Sequence, residues 1–250
     1  MKILITGASS GIGADMARIM AEKGHELILV ARDKKKLESL KEELNAEVKI
    51  ISLDVSTTFN CMKLYNKVKK EDIDVLINNA GFGVFGDFSK TNLDKELDMI
   101  DLNVKTVHTL TKLFLKDFKK KDSGYILNVA SSAAFSPGPL MASYYASKAY
   151  VLRLTEAIYE ELRREKSNVS VSCLCPGPVD TNFNTVAGVS FSVKALKSYD
   201  VAKYAIDKMF KKKLLIIPGT LMKLNYIFNR FMPLKPLLRI AYNIQRSKEK

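Results

Sequence analysis

Tyr144 and Lys148 are the pair of residues in this chain whose types and spacing point most directly to chemistry. They are four residues apart, and on a helix that spacing places both side chains on one face. A free tyrosine has a pKa of about 10 and is a poor base at neutral pH. A lysine ammonium one turn away stabilises the phenolate and so favours general acid–base catalysis by the tyrosine. A surface helix pair has the same spacing, so the motif needs support from the rest of the chain.

A glycine-rich turn near the N-terminus is the second chemical feature. Gly7, Gly11 and Gly13 follow a short apolar run and open a helical pattern. The first glycine allows a sharp turn, the second lets the backbone approach a pyrophosphate, and the third lets helix and strand pack closely. The helix N-terminus then offers free N–H groups and a positive dipole end to the phosphates. The turn predicts a dinucleotide site, although a purely structural turn shows the same glycines.

The residues after the second apolar run bear on the choice of cofactor. Ala31 stands where a carboxylate would bind an adenosine ribose 2′-hydroxyl, and Arg32 comes next. An arginine fork suits a 2′-phosphate. Asp33 is interpreted as the N-cap of a helix that begins at Lys34. The sequence therefore predicts NADP(H) rather than NAD.

The residues that follow three further apolar runs are candidates for binding a cofactor or a substrate. Asp54 closes the third, where its carboxylate could accept from an adenine amine. Ala80 and Gly81 follow the fourth and let a flat ring lie against backbone, whereas an asparagine there can simply hold strand ends together. Ser131 follows the fifth, where its hydroxyl could hold a substrate carbonyl.

The elements that must position these residues alternate between short apolar runs and longer amphipathic segments. Such alternation is typical of βαβ units, so we expect an α/β fold: one doubly wound Rossmann domain with a parallel sheet of about seven strands and helices on both faces. The predicted strands are Lys2–Thr6, Glu26–Val30, Val48–Ser52, Asp74–Asn78, Gly124–Val129, Val169–Leu174 and Leu214–Ile217. A helix is expected from about Ser143 to Arg164.

In this order the motifs resemble the short-chain dehydrogenase/reductase family, Rossmann-fold NADP-dependent type, over residues 1–218. The resemblance is carried by Thr6–Gly13, Asn78–Gly81, Asn103 within Met99–Val104, Ser131, Tyr144, Lys148 and Cys175–Thr181. It implies an oxidoreductase that moves a hydride between NADPH and a carbonyl or alcohol carbon.

The resemblance also implies roles for individual residues. Tyr144 would be the general acid/base, and Lys148 would bind the nicotinamide ribose and lower the tyrosine pKa. Ser131 would polarise the carbonyl, and Asn103 would kink its helix and anchor a proton-relay water. The cofactor itself would be bound by Gly7, Ser9, Ser10, Gly11, Ile12, Gly13, Arg32, Asp54, Val55, Asn79, Ala80, Gly81, Tyr144, Lys148, Pro176, Gly177, Val179 and Thr181.

Two neighbouring residues compete for these assignments. The family's serine lies three residues after a strand asparagine and thirteen before the tyrosine, and both counts choose Ser131 over Ser132. Tyr145 is three residues from Lys148 and lies off the Tyr144 side of the helix, so Tyr144 is the predicted catalytic residue.

Composition excludes several other classes of protein. Three cysteines, two of them on one predicted strand, argue against a disulfide framework, and two histidines leave little material for a zinc site or a Ser-His hydrolase. No metal is expected. The N-terminal residues do not form a signal peptide and no apolar run is long enough to span a membrane, so a cytoplasmic location is expected. The formal charge of +13 favours anionic partners, and no nucleic acid is expected among them.

The substrate is left open by the sequence. Apolar residues dominate the predicted pocket loops, which favours a hydrophobic ketone, with a 3-oxoacyl thioester as the specific alternative. These residues are Phe82, Phe85, Phe135, Leu140, Met141, Phe183 and Phe191.

A binding protein that senses NADP without turnover is the alternative class of function. The resemblance adds a homodimer or homotetramer, with the Asn103 helix and the Tyr144 helix pairing across a two-fold axis.

Two segments fall outside the alternating pattern. Residues 178–198 show little periodicity, which indicates a mobile loop. Residues 219–250 form a basic, apolar extension of the same domain, with a stripe at Leu221, Leu224, Phe228 and Phe231. The stripe predicts burial on this domain or a sister subunit, a lid over the pocket, or an interfacial membrane helix. Pro233 and Pro236 are expected to break the helix.

Overall fold

A seven-stranded parallel sheet forms the centre of the protein in a computed structural model that describes residues 1–183 and 195–246. Along the sheet the strands follow the order β3-β2-β1-β4-β5-β6-β9, and β7 pairs with β8 separately. The strands are β1 (Lys2–Thr6), β2 (Glu26–Ala31), β3 (Val48–Ser52), β4 (Val75–Asn78), β5 (Tyr125–Val129), β6 (Ser170–Leu174), β7 (Val179–Asp180), β8 (Leu196–Lys197) and β9 (Leu215–Ile216).

The seven predicted strands are confirmed, with small changes at their ends. Asp74, Gly124 and Val169 lie just before the strands that they were expected to start, while β2 runs one residue further, to Ala31. The strands are apolar almost throughout because both faces of the sheet are covered. Within the sheet Ile5 pairs with Leu29 of β2 and Ile77 of β4.

Helices connect the strands and cover both faces. They are α1 (Gly11–Glu22), α2 (Lys34–Glu43), α3 (Thr58–Val68), α4 (Leu93–Ile100), a π-helix (Asp101–Thr106), α5 (Val107–Lys120), a 3₁₀ turn (Ser132–Phe135), α6 (Ala142–Arg164), α7 (Ser198–Phe210), α8 (Thr220–Phe231) and α9 (Leu234–Arg246). The Asp33 side chain accepts a hydrogen bond from Lys36 N at 3.1 Å, which confirms it as the N-cap of α2.

Two apolar clusters show how the sheet divides the core. Ile3 and Ile5 point to the cluster that holds α1, α2 and α7, while Leu4 points to the cluster that holds α3, α5 and α6. The alternation follows from the two-residue period of a strand. All three cysteines are free and buried; Cys61 lies in the second cluster, and Cys173 and Cys175 lie in a further apolar cluster with Val151 and Leu152.

A buried polar network joins β4 and β5 to the helices behind them. Asn78 Nδ2 donates to Asn128 Oδ1 at 2.8 Å and to Thr111 Oγ1 at 3.1 Å, and Asn128 Nδ2 donates to Thr155 Oγ1 at 3.0 Å. Networks of this kind fix the relative position of the elements they join. The network therefore orients α6 against the end of β5.

The strand order reverses between β1 and β4, so the crossovers leave this point of the sheet in opposite directions. In doubly wound sheets such a switch point opens a crevice at the carboxyl ends of the strands. The glycine turn after β1 and the Asn79–Gly81 segment after β4 both lie there.

The described residues of the two segments outside the alternating pattern form short strands and two helices. Within 178–198, β7 and β8 form a short parallel pair, and residues 184–194, including Phe191, lie outside the described residues. The tail forms two helices with Pro233 between them. Pro236 does not break a helix; it lies in the first turn of α9, where proline costs no intrahelical hydrogen bond. Among the described residues no helix is long and apolar enough to cross a membrane.

Candidate active site

The glycine turn forms one wall of a cavity of about 440 Å³ at the carboxyl ends of the strands. Gly7 has a φ of 64°, a left-handed conformation that other residues rarely adopt. A Cβ on Gly13 would lie 2.4 Å from the Gly7 carbonyl oxygen. The turn and the helix therefore pack too closely for any other side chain at these two positions.

The N-terminus of α1 points its first turn at this cavity. Ser10, the N-cap residue, makes no side-chain cap hydrogen bond within the described residues, and it lines the cavity with Gly11 and Ile12. The first-turn N–H groups of a helix need partners from outside the helix. A phosphate can supply them, and the helix dipole favours its charge.

Asn79 ties the glycine turn to the end of β4. Its Nδ2 donates to the carbonyl oxygens of Thr6 and Gly7 at 3.1 and 3.0 Å, and the Thr6 hydroxyl accepts from the Asn79 backbone N–H at 3.1 Å. The side chain thus holds the strand ends together, as the sequence allowed for this asparagine. Asn79, Ala80 and Gly81 also line the cavity, where a flat ring can lie against them.

The residues predicted for the adenosine end lie on open surface beside the cavity. The Arg32 side chain is 75% exposed, and its Nη1 lies 3.9 Å from Asp54 Oδ2. Asp54 Oδ1 accepts from Ser56 N at 3.0 Å. The guanidinium is therefore held loosely near the strand end and has donors free for an anion.

Tyr144 and Lys148 lie on one face of α6 and are both buried, with 7% and 5% of their surfaces exposed. The Lys148 ammonium donates to Val129 O at 3.0 Å and lies 5.9 Å from the centre of the Tyr144 ring. Both side chains line the cavity. The structure thus brings the pair predicted from spacing into the same cavity as the glycine turn.

Burial controls the protonation of both groups. It raises the pKa of Tyr144 well above its ordinary value, and the nearby Ser131 side chain opposes the shift without cancelling it. It lowers the pKa of Lys148 to about 8. The expectation that the lysine brings the tyrosine toward neutral pH is therefore not met, because desolvation penalises the charged form of each group. In this state Tyr144 holds its proton.

Ser131 lines the cavity together with Tyr144. Its Oγ accepts from Ala133 N at 3.1 Å and donates to Pro176 O at 3.5 Å. Both serines line the cavity, and Ser132 N donates to Pro176 O at 2.8 Å. Ser131 is among the groups that influence the pKa of Tyr144, and its choice over Ser132 stays a prediction.

Asn103 is completely buried within the π-helix rather than exposed to the cavity. Its side chain accepts from Phe82 N at 3.1 Å and donates to Phe82 O at 2.9 Å and to Ser147 Oγ at 3.1 Å. Ser147 lies between Tyr144 and Lys148 on α6. A π-helical turn distorts the regular ladder of hydrogen bonds, and here it places the amide where it fixes the loop after Gly81 against the catalytic helix.

The segment after β6 closes the cavity on the side opposite Asn79. It contributes Pro176, Gly177, Val179 and Thr181, all predicted as cofactor contacts. Several other predicted residues do not reach the cavity surface: Ser9, Gly13, Arg32, Asp54, Val55 and Asn103. Of these, Gly13 and Asn103 are buried behind the wall, whereas Arg32 and Asp54 lie at the open adenosine end.

The part of the cavity beside Tyr144 is apolar. Phe82, Met141 and Phe183 line it as predicted, and the Phe183 ring lies 5.4 Å from the Tyr144 ring. Phe135 does not reach this cavity, because it packs on Tyr226 with 4.8 Å between ring centres. Phe85 and Leu140 lie outside its lining as well.

The sequence predicts a lid over the pocket as one role of the tail, and three tail residues line the cavity: Met222, Asn225 and Ile244. Tyr145 and Asn182 also line it. The predicted stripe is not what packs here, because Leu221, Leu224, Phe228 and Phe231 are all exposed. Met222 and Asn225 are three residues apart, so they lie on one face of α8. This spacing is the sequence signal that could have identified them as cavity residues.

A comparison with known families gives a clear match. The family model for short chain dehydrogenase matches residues 1–189. An uncharacterized oxidoreductase of Staphylococcus epidermidis is 33% identical over 210 residues, which cover 82% of this chain and 90% of that protein. A very-long-chain 3-oxoacyl-CoA reductase of Pyrenophora tritici-repentis is 33% identical over 208 residues, covering 78% of this chain and 60% of that protein.

The fold also matches a solved structure of a related protein. A short-chain dehydrogenase from Sphingobium yanoikuyae, in complex with NADPH, superposes with a TM-score of 0.83 at 28% identity, and the match covers 92% of each chain. The match extends over the parallel sheet and most of the remaining chain.

Proposed function

Because this chain belongs to the short-chain dehydrogenase family of oxidoreductases, we propose that it transfers a hydride between NADP(H) and the carbonyl or alcohol carbon of a small, hydrophobic compound. The observation that carries the proposal is that Ser131, Tyr144 and Lys148 line one apolar cavity together, with the Lys148 ammonium 5.9 Å from the centre of the Tyr144 ring. The other end of the cavity is the phosphate-binding turn of α1.

Each residue of this site has a separate role in the proposed reduction of a carbonyl group. When bound, NADPH supplies the hydride to the carbonyl carbon. Ser131 can donate a hydrogen bond that holds the carbonyl oxygen, and Tyr144 gives its proton to that oxygen as the alcohol forms. The raised pKa of Tyr144 keeps the phenol protonated and ready to donate. Lys148 lies where its ammonium stabilises the phenolate left behind.

We propose NADP(H) as the preferred cofactor because of Arg32 and the residue before it. Its guanidinium is exposed at the end of β2, and Ala31 leaves no carboxylate at the position that would bind a ribose 2′-hydroxyl. The choice rests on these two residues, because similar short-chain dehydrogenases have been solved both with NADPH and with NAD. Asp54 and Val55 are proposed to contact the adenine.

A hydrophobic ketone is the substrate class that the cavity favours. Phe82, Met141, Phe183, Met222 and Ile244 form its apolar walls, and Asn225 adds one amide. A 3-oxoacyl thioester is the second candidate, favoured by the similarity to the very-long-chain 3-oxoacyl-CoA reductase. We further propose that residues 1–218 are the dinucleotide-binding and catalytic domain, with the tail as an extension of the same domain.

Turnover of a panel of carbonyl compounds tests the proposal. NADPH oxidation is measured with aliphatic, aromatic and steroid ketones, a 3-oxoacyl thioester and a sugar aldehyde, with Tyr144→Phe as the inactive control. We expect the apolar ketones or the thioester to be reduced and the sugar to be ignored. A protein that binds NADPH tightly but turns over none of the panel would instead support an NADP-binding regulator.

A further inference from the structure

Helix α8 is folded with its apolar face away from the protein. Four half-buried residues face the domain: Met222, Asn225, Tyr226 and Asn229. Five large apolar residues are exposed, by 57% at Leu221, 64% at Leu224, 53% at Ile227, 49% at Phe228 and 80% at Phe231. A helix that only packs on its own domain shows the opposite arrangement, with the apolar stripe inward and polar residues in water.

The exposed residues form one continuous surface. Their three- and four-residue spacing places them on a single side of α8, and Leu234 continues the apolar surface with 60% exposure at the start of α9. We call Leu221, Leu224, Ile227, Phe228, Phe231 and Leu234 the outer stripe. Exposed apolar patches of this kind mark surfaces that contact another protein, a membrane or a ligand.

The charges around the outer stripe have one sign. Residues 219–246 contain five basic residues and no acidic one, and all five are exposed: Lys223, Arg230, Lys235, Arg239 and Arg246. Lys223 and Arg230 are seven residues apart on α8, so both lie along the same edge of the outer stripe. Lys223 and Lys208 of α7 lie 5.7 and 5.3 Å from the Tyr204 ring centre, but Lys208 is paired with Asp207 at 3.4 Å, so the one-sign surface is that of the tail.

The sign of these charges decides between two ways of covering the stripe. A second copy of the chain docked here across a two-fold axis would bring the same cations against each other without a carboxylate from either tail to neutralise them. A bilayer with anionic headgroups accepts apolar side chains at the level of the acyl chains and Lys and Arg at the level of the phosphates.

We propose that α8 and the start of α9 lie in the surface of an anionic bilayer, with the outer stripe in its apolar layer and the flanking basic residues at the lipid phosphates. Met222 and Asn225, on the opposite side of α8, continue to line the cavity. The protein is then a peripheral membrane protein, and this inference does not depend on the reaction proposed above.

Fluorescence offers a direct test, because the chain contains no tryptophan. In Phe231→Trp the new indole reports on the outer stripe alone. Phe59→Trp is the matched control, since Phe59 is 76% exposed on α3, outside the tail. With vesicles of phosphatidylcholine and phosphatidylglycerol in equal parts, we expect a blue shift for Phe231→Trp and none for Phe59→Trp. Equal shifts in both variants, or none in either, would overturn the proposal.

Sedimentation with the same vesicles measures the affinity. Leu224→Ser with Phe231→Ser should weaken binding by about tenfold or more, from the lost apolar burial. Lys235→Glu with Arg239→Glu should weaken it by at least about 25-fold, at roughly fivefold per charge removed. Phe59→Ser should bind like the unmodified protein, and vesicles of phosphatidylcholine alone should bind it weakly.

Two further outcomes would also count against the proposal. One is unmodified protein that stays in the supernatant with anionic vesicles. The other is a light-scattering mass that drops to that of a monomer in the Leu224→Ser, Phe231→Ser variant, which would assign the outer stripe to a second copy of the chain. An unchanged circular dichroism spectrum and an unchanged Tm in every variant verify that the fold is intact.

Discussion

The Gln245 side-chain amide donates a hydrogen bond to the hydroxyl of Tyr145, one hundred residues earlier in the chain. Gln245 is only 2% exposed, although it lies near the end of α9. The bond joins the tail to the residue next to Tyr144 on the catalytic helix. Together with Ile244, Met222 and Asn225 in the cavity wall, it makes the tail part of the substrate end of the site.

Replacing Gln245 tests this role of the tail. Gln245→Leu leaves the Tyr145 hydroxyl without this donor, and we expect a loss of about 1–3 kcal/mol in the free energy of unfolding. The KM for an apolar ketone should rise while kcat changes little, because the reacting groups are untouched. Asn243→Leu, at an exposed position on the same helix, is the control. An unchanged KM together with unchanged stability would show that the tail does not shape the site.

The two adjacent tyrosines should differ sharply in their kinetic effects. Tyr144→Phe removes the proton that is transferred, so kcat should fall by about 10²-fold or more, while NADPH binding measured by fluorescence is retained. Tyr145→Phe removes only the bond to Gln245 and should lower kcat far less. The reverse ranking would show that Tyr145 is the acid.

Cofactor preference should follow Arg32. Its exposed guanidinium can form a charge-assisted pair with the 2′-phosphate, so Arg32→Asp should weaken NADPH binding by about tenfold to a hundredfold and improve NADH binding. Lys34→Asp, an exposed cation at the start of α2, controls for the change in net charge. If the unmodified protein binds NADH as tightly as NADPH at low salt, the assignment of Arg32 is wrong.

Lys148 should make stability depend on pH in the alkaline range. Its pKa is about 8 in the folded protein against an ordinary value of 10.5, so between these pH values the unfolded chain holds a proton that the folded chain has released. The free energy of unfolding therefore gains from Lys148 as pH rises through this window, by up to about 1.4 kcal/mol per pH unit.

The comparison of the unmodified protein with Lys148→Met isolates this contribution, measured by urea unfolding from pH 7 to about pH 10. Burial also raises the pKa of Cys61 to about 11, which lowers stability at high pH, but it does so in both proteins. The gain should be present in the unmodified protein and in Lys203→Met, whose lysine is exposed, and missing in Lys148→Met. If the free energy of unfolding depends on pH in the same way in all three proteins, the lowered pKa of Lys148 is wrong.

We also propose a homodimer or homotetramer through α5 and α6. Tyr150 on α6 is 40% exposed, and its hydroxyl lies 2.7 Å from His108 Nδ1 on α5. Tyr150→Arg on this face should convert the oligomer to monomer in light scattering at micromolar concentration, whereas Lys112→Ala, also on α5, should not. A mass of only 28.0 kDa for the unmodified protein would refute the oligomer.

Much of the fold could be predicted from local signals. Continuous apolar runs locate all seven strands of the central sheet, because a strand covered on both faces excludes polar residues along its length. The Asp33 cap and the positive φ of Gly7 depend on neighbours within a few residues, so the sequence determines them directly. The spacing of Tyr144 and Lys148 likewise fixes their shared helix face.

The tertiary structure decided how these pieces face each other. Periodicity shows that Leu221, Leu224, Phe228 and Phe231 share one side of a helix, but not that this side points away from the domain. That orientation depends on Met222 and Asn225 fitting a cavity built from residues far earlier in the chain. The raised pKa of Tyr144 arises in the same way: its proximity to Lys148 is local, whereas the desolvation that outweighs this proximity comes from packing between distant segments.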